Sequence, residues 1–256
     1  METLQIERAD GIVTVTLNRP EKKNAINGTM WDELLATFRE IGTSPDDRVM
    51  VLTGAGGAFC SGADLSGGGP PTGGGLAHMR HVGDVALALH RIMKPTVAKV
   101  DGVAAGAGLN MALGCDLIVA SDEARFSEIF ARRGLSVDFG GSWLLPRLIG
   151  LHKAKELAFF ADVISAKEAA DFGIVNRVVP ATELDALVDE WAHRLAAAAP
   201  IAVSMTKQML NSSFSLTMEQ ALEDEARTQN VNFASDDTQE AMMAFLEKRD
   251  PLFRGR

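Results

Sequence analysis

The chain has 256 residues, 46% of them apolar and 23% charged, enough to bury one large core with little left over for disorder. Its formal net charge of −9 argues against nucleic acid and anionic membrane surfaces as partners, because phosphate neutralisation by Lys and Arg supplies most non-specific nucleic-acid affinity. Two cysteines, Cys60 and Cys115, are too few for a disulfide framework and have no metal-ligand spacing, so both read as small core residues.

The start, residues 1–7, carries acids and no apolar run, so it does not read as a signal peptide, and the expected compartment is the cytoplasm. Residues 12–17 are β-branched, alternate in polarity and end at Asn18-Arg19-Pro20, which predicts a strand entering a turn. The spacing of Met30, Leu34, Leu35 and Phe38 predicts a helix over 29–41. A second strand is expected over 47–53, stopped by Gly54-Ala55-Gly56-Gly57. A helix over 76–93 and a strand over 95–100 follow. Between them, the Gly/Pro-rich stretch 66–75 reads as a mobile surface loop, either a tolerated insertion or a lid beside a pocket. The run 103–120 approaches membrane-span length, but Asn110 and Asp116 interrupt it and Gly and Ala dominate it, so a buried segment is expected instead. Strands alternating with helices imply a layered α/β fold. From Ala166 onward the pattern is helical, with a helix over 182–199 ended by Pro200 and one short strand over 174–179. The expected organisation is a core of residues 1–195 and a helical region, 196–256, packing on that core or on a partner subunit.

Four segments carry a recognisable pattern. They are Asn18-Arg19-Pro20 with Asn24-Ala25-Ile26-Asn27; Phe59-Cys60-Ser61-Gly62-Ala63-Asp64-Leu65; Asp101-Gly102-Val103-Ala104-Ala105-Gly106-Ala107-Gly108-Leu109 running on to Cys115-Asp116; and Ser165-Ala166-Lys167-Glu168-Ala169 with Gly173-Ile174-Val175. In this order, and across nearly the whole chain, they resemble the crotonase (enoyl-CoA hydratase/isomerase) superfamily. The resemblance implies a spiral of repeated β-β-α units and a homotrimer, often paired into a hexamer. It also implies an acyl-CoA thioester substrate, with coenzyme A part of that substrate and no separate cofactor. Chemistry of this type forms a thioester enolate, whose oxygen needs pre-placed donors. The family match puts backbone N–H donors at Ala63 and Ala107, where Gly and Ala let backbone approach a ligand closely. Around them, Phe59, Gly62, Asp64, Leu65, Gly106 and Phe130 would line the substrate site. The segment Asn24-Ala25 would hold the adenine region of coenzyme A. The ending Ala244-Phe245-Leu246-Glu247-Lys248-Arg249 looks like the family tail, whose Phe and Lys, here Phe245 and Lys248, contact coenzyme A from a neighbouring position; Lys248 reads equally as a solvated charge.

The departures from the family pattern matter more. Hydratases of this family hold a water between two glutamates that act as base and acid. Their positions here hold Asn110 and Phe130, neither of which moves a proton. Glu128 would share a face with Phe130 if the stretch is extended, as a fallback carboxylate or a packed or solvated residue. Asp138, in the apolar setting Gly134-Leu135-Ser136-Val137-Asp138-Phe139-Gly140-Gly141-Ser142-Trp143, is the better candidate, since desolvation raises a carboxyl's pKa toward neutrality. Its alternative role is a helix N-cap. The pattern is similar to 1,2-epoxyphenylacetyl-CoA isomerases and related enoyl-CoA isomerases, where an aspartate at this position shuttles a proton. It is also similar to 4-chlorobenzoyl-CoA dehalogenase, which carries a tryptophan where this chain has Phe130. The five histidines lack metal spacing, and tyrosine is absent. The expectation is an enoyl-CoA isomerase using Asp138. The alternatives are an enoyl-CoA hydratase of fatty acid breakdown using Asp138 or Glu128, and a silent acyl-CoA-binding homologue.

Overall fold

The computed structural model describes residues 1–67 and 75–256. The loop expected at 66–75 therefore lies outside the described residues except at its ends. Strands and helices alternate from the start: β1 (Leu4–Ala9), β2 (Ile12–Leu17), α1 (Gly28–Thr43), β3 (Val49–Gly54), α2 (Gly75–His90) and β4 (Thr96–Val100). The run read as one buried segment divides into β5 (Val103–Ala105), α3 (Ala107–Leu113) and β6 (Leu117–Ser121). Then come β7 (Arg125–Ser127), α4 (Gly141–Phe160), β8 (Ile164–Ser165), α5 (Ala166–Asp171), β9 (Arg177–Val179) and α6 (Leu184–Ala196). The chain ends in α7 (Pro200–Ser212), α8 (Met218–Phe233) and α9 (Asp236–Glu247).

The large sheet has the order β1-β2-β3-β4-β6-β9, with β1 antiparallel to β2 and every other neighbour parallel. A smaller sheet has the order β5-β7-β8. Thus β4 enters the large sheet and β5 the small one, with α3 next in the chain and packed on β5; β6, β7 and α4 repeat the order. This is the expected β-β-α spiral.

Burial follows the pleat. In β2, Val13, Val15 and Leu17 are buried and their alternates half-buried, whereas β3 is buried from Val49 to Thr53, as a central parallel strand covered on both faces should be. Met50, Leu52, Ala98 and Val100 join the core of Met30, Leu34 and Phe38 on α1. Val49, Val51, Val97 and Val119 point the other way, onto Leu184, Val188 and Ala192 of α6. Pro146 and Gly150 hide α4 from pattern reading, and Gly150, at φ +75°, interrupts it.

Helices α7, α8 and α9 pack on one another. Lys207 of α7 reaches back to the Asp116 carboxylate, 2.7 Å, and the Lys94 carbonyl, 2.9 Å. Among the described residues, no helix is long and apolar enough to cross a membrane.

Candidate active site

The first part of the site is made of backbone. Ile26 N–H donates to the Gly62 carbonyl, 2.9 Å, and Asp64 N–H to the Ile26 carbonyl, 2.8 Å, which pins the 62–64 segment. Just before it, Cys60 is stitched to β5, as Cys60 N–H donates to the Val103 carbonyl and Ala105 N–H to the Cys60 carbonyl, both 2.9 Å. Gly62 sits at φ +97°, and a Cβ there would lie 2.9 Å from the Ala105 oxygen and 3.7 Å from the Ala107 nitrogen. Only glycine fits, and the segments bearing Ala63 and Ala107 are thereby brought side by side. Gly106 (φ +54°) turns the chain so that Ala107 opens α3, where a first-turn N–H has no partner inside the helix. Among the described residues, neither the Ala63 nor the Ala107 N–H donates to a protein acceptor. The two free donors lie on neighbouring segments, one of them at the positive end of a short helix dipole.

The second part is carboxyl chemistry. Asn110 lies three residues after Ala107, on the same side of α3. Its Nδ2 donates to the Asp138 main-chain carbonyl, 3.0 Å, which also accepts from Gly141 N–H, 2.9 Å. Phe139 and Gly140 both take left-handed backbone (φ +47° and +82°), and Phe139 stacks on Trp31 with centroids 5.7 Å apart. A Cβ on Gly141 would fall 2.4 Å from Asn110 Oδ1, so α3 and α4 meet here over a glycine. The N-cap of α4 is Gly140, with no side chain bonded to it, so Asp138 is not the cap that its sequence position allowed. Asp138 Oδ1 is buried without a hydrogen-bond partner, and burial pushes the carboxyl up to about 6.

Glu128 is packed, one of the alternatives its sequence left open, but the stretch is not extended. Strand β7 ends at Ser127 and residues Ile129–Arg133 form a 3₁₀ turn, so Glu128 and Phe130 do not share a strand face. Glu128 is wholly buried rather than solvated, with Asn110 Nδ2 3.5 Å from its Oε2. Burial pushes it up to about 8; the Asn110 contact opposes the rise and the charge of Asp138 adds to it. Asn110 thus faces both carboxyl-bearing residues, an arrangement for which its sequence position offered no signal.

The remaining candidates are distributed unevenly. Phe130 is buried, its ring 3.6 Å from where a Gly106 Cβ would sit. Phe59 is fully buried in the core. Asn24, also buried, spends its side chain on the backbone, donating to Ala55 and Ala58 carbonyls and accepting from Arg19 N–H. The Ala25 carbonyl and the Asp64 carboxylate both bind the Arg19 guanidinium, and Asp64, bonded first to Ser66, is held at about 2. Leu65 is exposed. Phe245 and Lys248 are not brought to these residues. Phe245 lines a groove between α7 and α9 with Ala202, Phe233 and Phe253, and Lys248 caps α9 in the left-handed conformation. Cys60 and Cys115 are buried core thiols, both pushed up to about 12 by burial. Among the described residues, no group of three or more His, Cys, Asp or Glu could hold a metal ion.

The sequence profile of the enoyl-CoA hydratase/isomerase family matches residues 7–256. The chain is 35% identical to the 1,2-epoxyphenylacetyl-CoA isomerase of Escherichia coli over all of both chains. It is also 35% identical to the short-chain-enoyl-CoA hydratase of Clostridium acetobutylicum, over 95% of this chain and 94% of that one. The solved enoyl-CoA hydratase of Bacillus anthracis superposes with a TM-score of 0.94 at 30% identity, covering 99% of this chain and 100% of that one. With its β-β-α spiral and its profile match over almost all residues, the chain belongs to the enoyl-CoA hydratase/isomerase (crotonase) family of acyl-CoA enzymes.

Proposed function

We propose that the protein isomerises the double bond of an enoyl-CoA, with Asp138 as the base that moves the proton. The observation that carries this reading is the buried Asp138 carboxylate oxygen without a partner, on a residue whose main chain is bonded to Asn110, three residues after the free N–H of Ala107 in α3. The thioester oxygen of a 3-enoyl-CoA sits between the Ala63 and Ala107 amides. Asp138 takes a proton from carbon 2, and the electron pair spreads over carbons 2 to 4 and the thioester oxygen as a dienolate. The two amides stabilise the negative oxygen without having to reorganise. Asp138 then returns the proton to carbon 4, and the product is the 2-enoyl-CoA. No atom is gained or lost, so no cofactor takes part; coenzyme A is the handle of the substrate. Similarity to an isomerase supports this reading.

The buried Glu128 favours a second reading. With Asp138 it supplies two carboxyls of separated pKa, the equipment of a hydratase, and similarity to a hydratase supports it as well. A panel of 2-enoyl- and 3-enoyl-CoA substrates with products weighed by mass spectrometry separates them. The expected result is conversion of 3-enoyl-CoA without change of mass. Faster formation of a product heavier by one water, from 2-enoyl-CoA, would put hydration ahead. Binding of acyl-CoA without turnover of any substrate would mean a silent homologue.

The same reading makes the protein a homotrimer or hexamer held together by the region 196–256. Helices α8 and α9 and the turn between α7 and α8 leave Phe214, Met218, Leu222, Met242, Phe245 and Leu246 exposed, with no separate core to cover them. Light scattering at micromolar concentration is expected to give a mass of three or six chains, and a monomer would count against it.

A further inference from the structure

Glu128 is a wholly buried carboxyl that the proton transfer proposed for Asp138 leaves unused. Burying an acid costs free energy unless something holds its charge or keeps it neutral. Nothing around it holds a charge. Strand β7, just before it, offers Arg125, whose guanidinium is occupied by the Glu123 and Ala124 carbonyls. In the 3₁₀ turn after it, Arg132 pairs with Asp162 and Arg133 is exposed. Helix α3 presents Asn110 and has no ionisable residue, α4 carries Arg147 stacked 4.0 Å over Trp143, and the acid and base side chains of α5 are exposed. Residues 68–74 contain no ionisable side chain. Among the described residues, Asp138 is the charge that reaches Glu128 and Asn110 the side chain that bonds it.

The two N–H bonds of the Asn110 amide serve two acceptors at once and so tie Glu128 to the Asp138 main chain. Its amide is 3.0 Å from the Asp138 carbonyl and 3.5 Å from Glu128 Oε2, so the main chain that aims Asp138 holds the shorter bond. Asn110 Oδ1, Glu128 Oε1 and Asp138 Oδ1 are all buried without partners, which makes this a buried polar cluster. An ionised Glu128 is a much stronger acceptor than a neutral one; shortening its long bond to Asn110 would pull that amide toward Glu128 and strain the bond that aims the Asp138 main chain. It would also add a second negative charge beside the site of the dienolate, where low dielectric makes like charges costly.

On the reading that Asp138 is the base, we propose that Glu128 is a positioning residue for it. As the neutral acid, Glu128 leaves the Asn110 amide on the Asp138 main chain and keeps a single negative charge in the site; its ionisation disables isomerisation. A carboxyl pushed up to about 8 is neutral across the neutral range and loses its proton on the alkaline side, so the sign is a loss of activity as pH rises past that value.

The test is the pH profile of kcat for isomerisation in the wild type and in Glu128→Gln. In the wild type, kcat is expected to fall above about pH 8, approaching about tenfold per pH unit. In Glu128→Gln, kcat at pH 7 is expected to drop several-fold with KM unchanged, because the amide does not reproduce the carboxyl's contacts, and the alkaline fall should vanish. A variant whose profile superimposes on the wild type in shape would overturn the proposal, as packing alone does not titrate. Loss of activity in Glu128→Gln as deep as in Asp138→Asn would also overturn it, making Glu128 a proton carrier. If Glu128→Gln is dead while Asp138→Asn is active, the assignment of Asp138 itself fails. Infrared titration of the wild type gives a readout that needs no variant. A protonated-carboxyl band should persist at pH 7 and bleach in parallel with kcat, and its absence at pH 7 would sink the proposal.

Discussion

Asp138→Asn is expected to slow the conversion of 3-enoyl- to 2-enoyl-CoA by about 10²–10⁴-fold, the usual contribution of a general base. The substitution keeps the shape of the side chain and removes its ability to accept a proton. It should not disturb the local fold, because Asn110 and Gly141 bond the main-chain carbonyl of this residue rather than its carboxylate. Affinity for an unreactive acyl-CoA, measured by calorimetry, is expected to survive, because the contacts proposed for the nucleotide and the thioester oxygen do not use this carboxylate. The pH dependence adds a second signature. A base works when ionised, and burial pushes Asp138 up to about 6, so kcat/KM should rise with pH through that value. Below it, activity should fall about tenfold per pH unit, and the residual activity of the variant should lack this limb. A variant with near-normal turnover would remove Asp138 from the mechanism.

Replacing Ala107 with proline should cost at least about two orders of magnitude in kcat, the scale of losing one preorganised N–H donor, ~3–4 kcal/mol. Ala107 is the first residue of α3, the one helical position where proline is favoured, because the N–H it deletes has no helical partner and its fixed φ suits the first turn. The residue before it is Gly106, which tolerates the restriction that proline imposes on its predecessor. The ring would point into the gap beside the 62–64 segment, where the thioester oxygen is expected. The variant should thus fold, with an unfolding midpoint near that of the parent, while the oxyanion would lose one of the two donors proposed for it. Retention of near-normal turnover in a folded variant would rule out Ala107 as a donor.

Where information is local, the amino-acid sequence alone determined the outcome. The alternation of Val13, Val15 and Leu17 specified β2, the spacing of Met30, Leu34 and Phe38 specified α1, and the valine-rich run after Asp47 specified β3. The glycines around Ala63 and Ala107 marked places where backbone approaches backbone, and the left-handed φ of Gly62 and Gly106 gives the reason. The replacement of two expected glutamates by Asn110 and Phe130, and the apolar setting of Asp138, were likewise legible as residue identities. Strand β7 was not, because three residues as mixed as Arg125-Phe126-Ser127 become a strand only by pairing with β5 and β8. Helix α4 was hidden for a related reason, since Pro146 and Gly150 mimic stop signals inside it. Most of all, the tertiary structure decided where Asn110 and Glu128 sit and what they touch. The bond from Asn110 to Asp138 spans 28 residues and the approach to Glu128 spans 18. Both distances are set by how α3 stacks between the small sheet and α4. The pKa of a carboxyl depends on that burial and on the charges facing it, and neither quantity is written in the order of neighbouring residues.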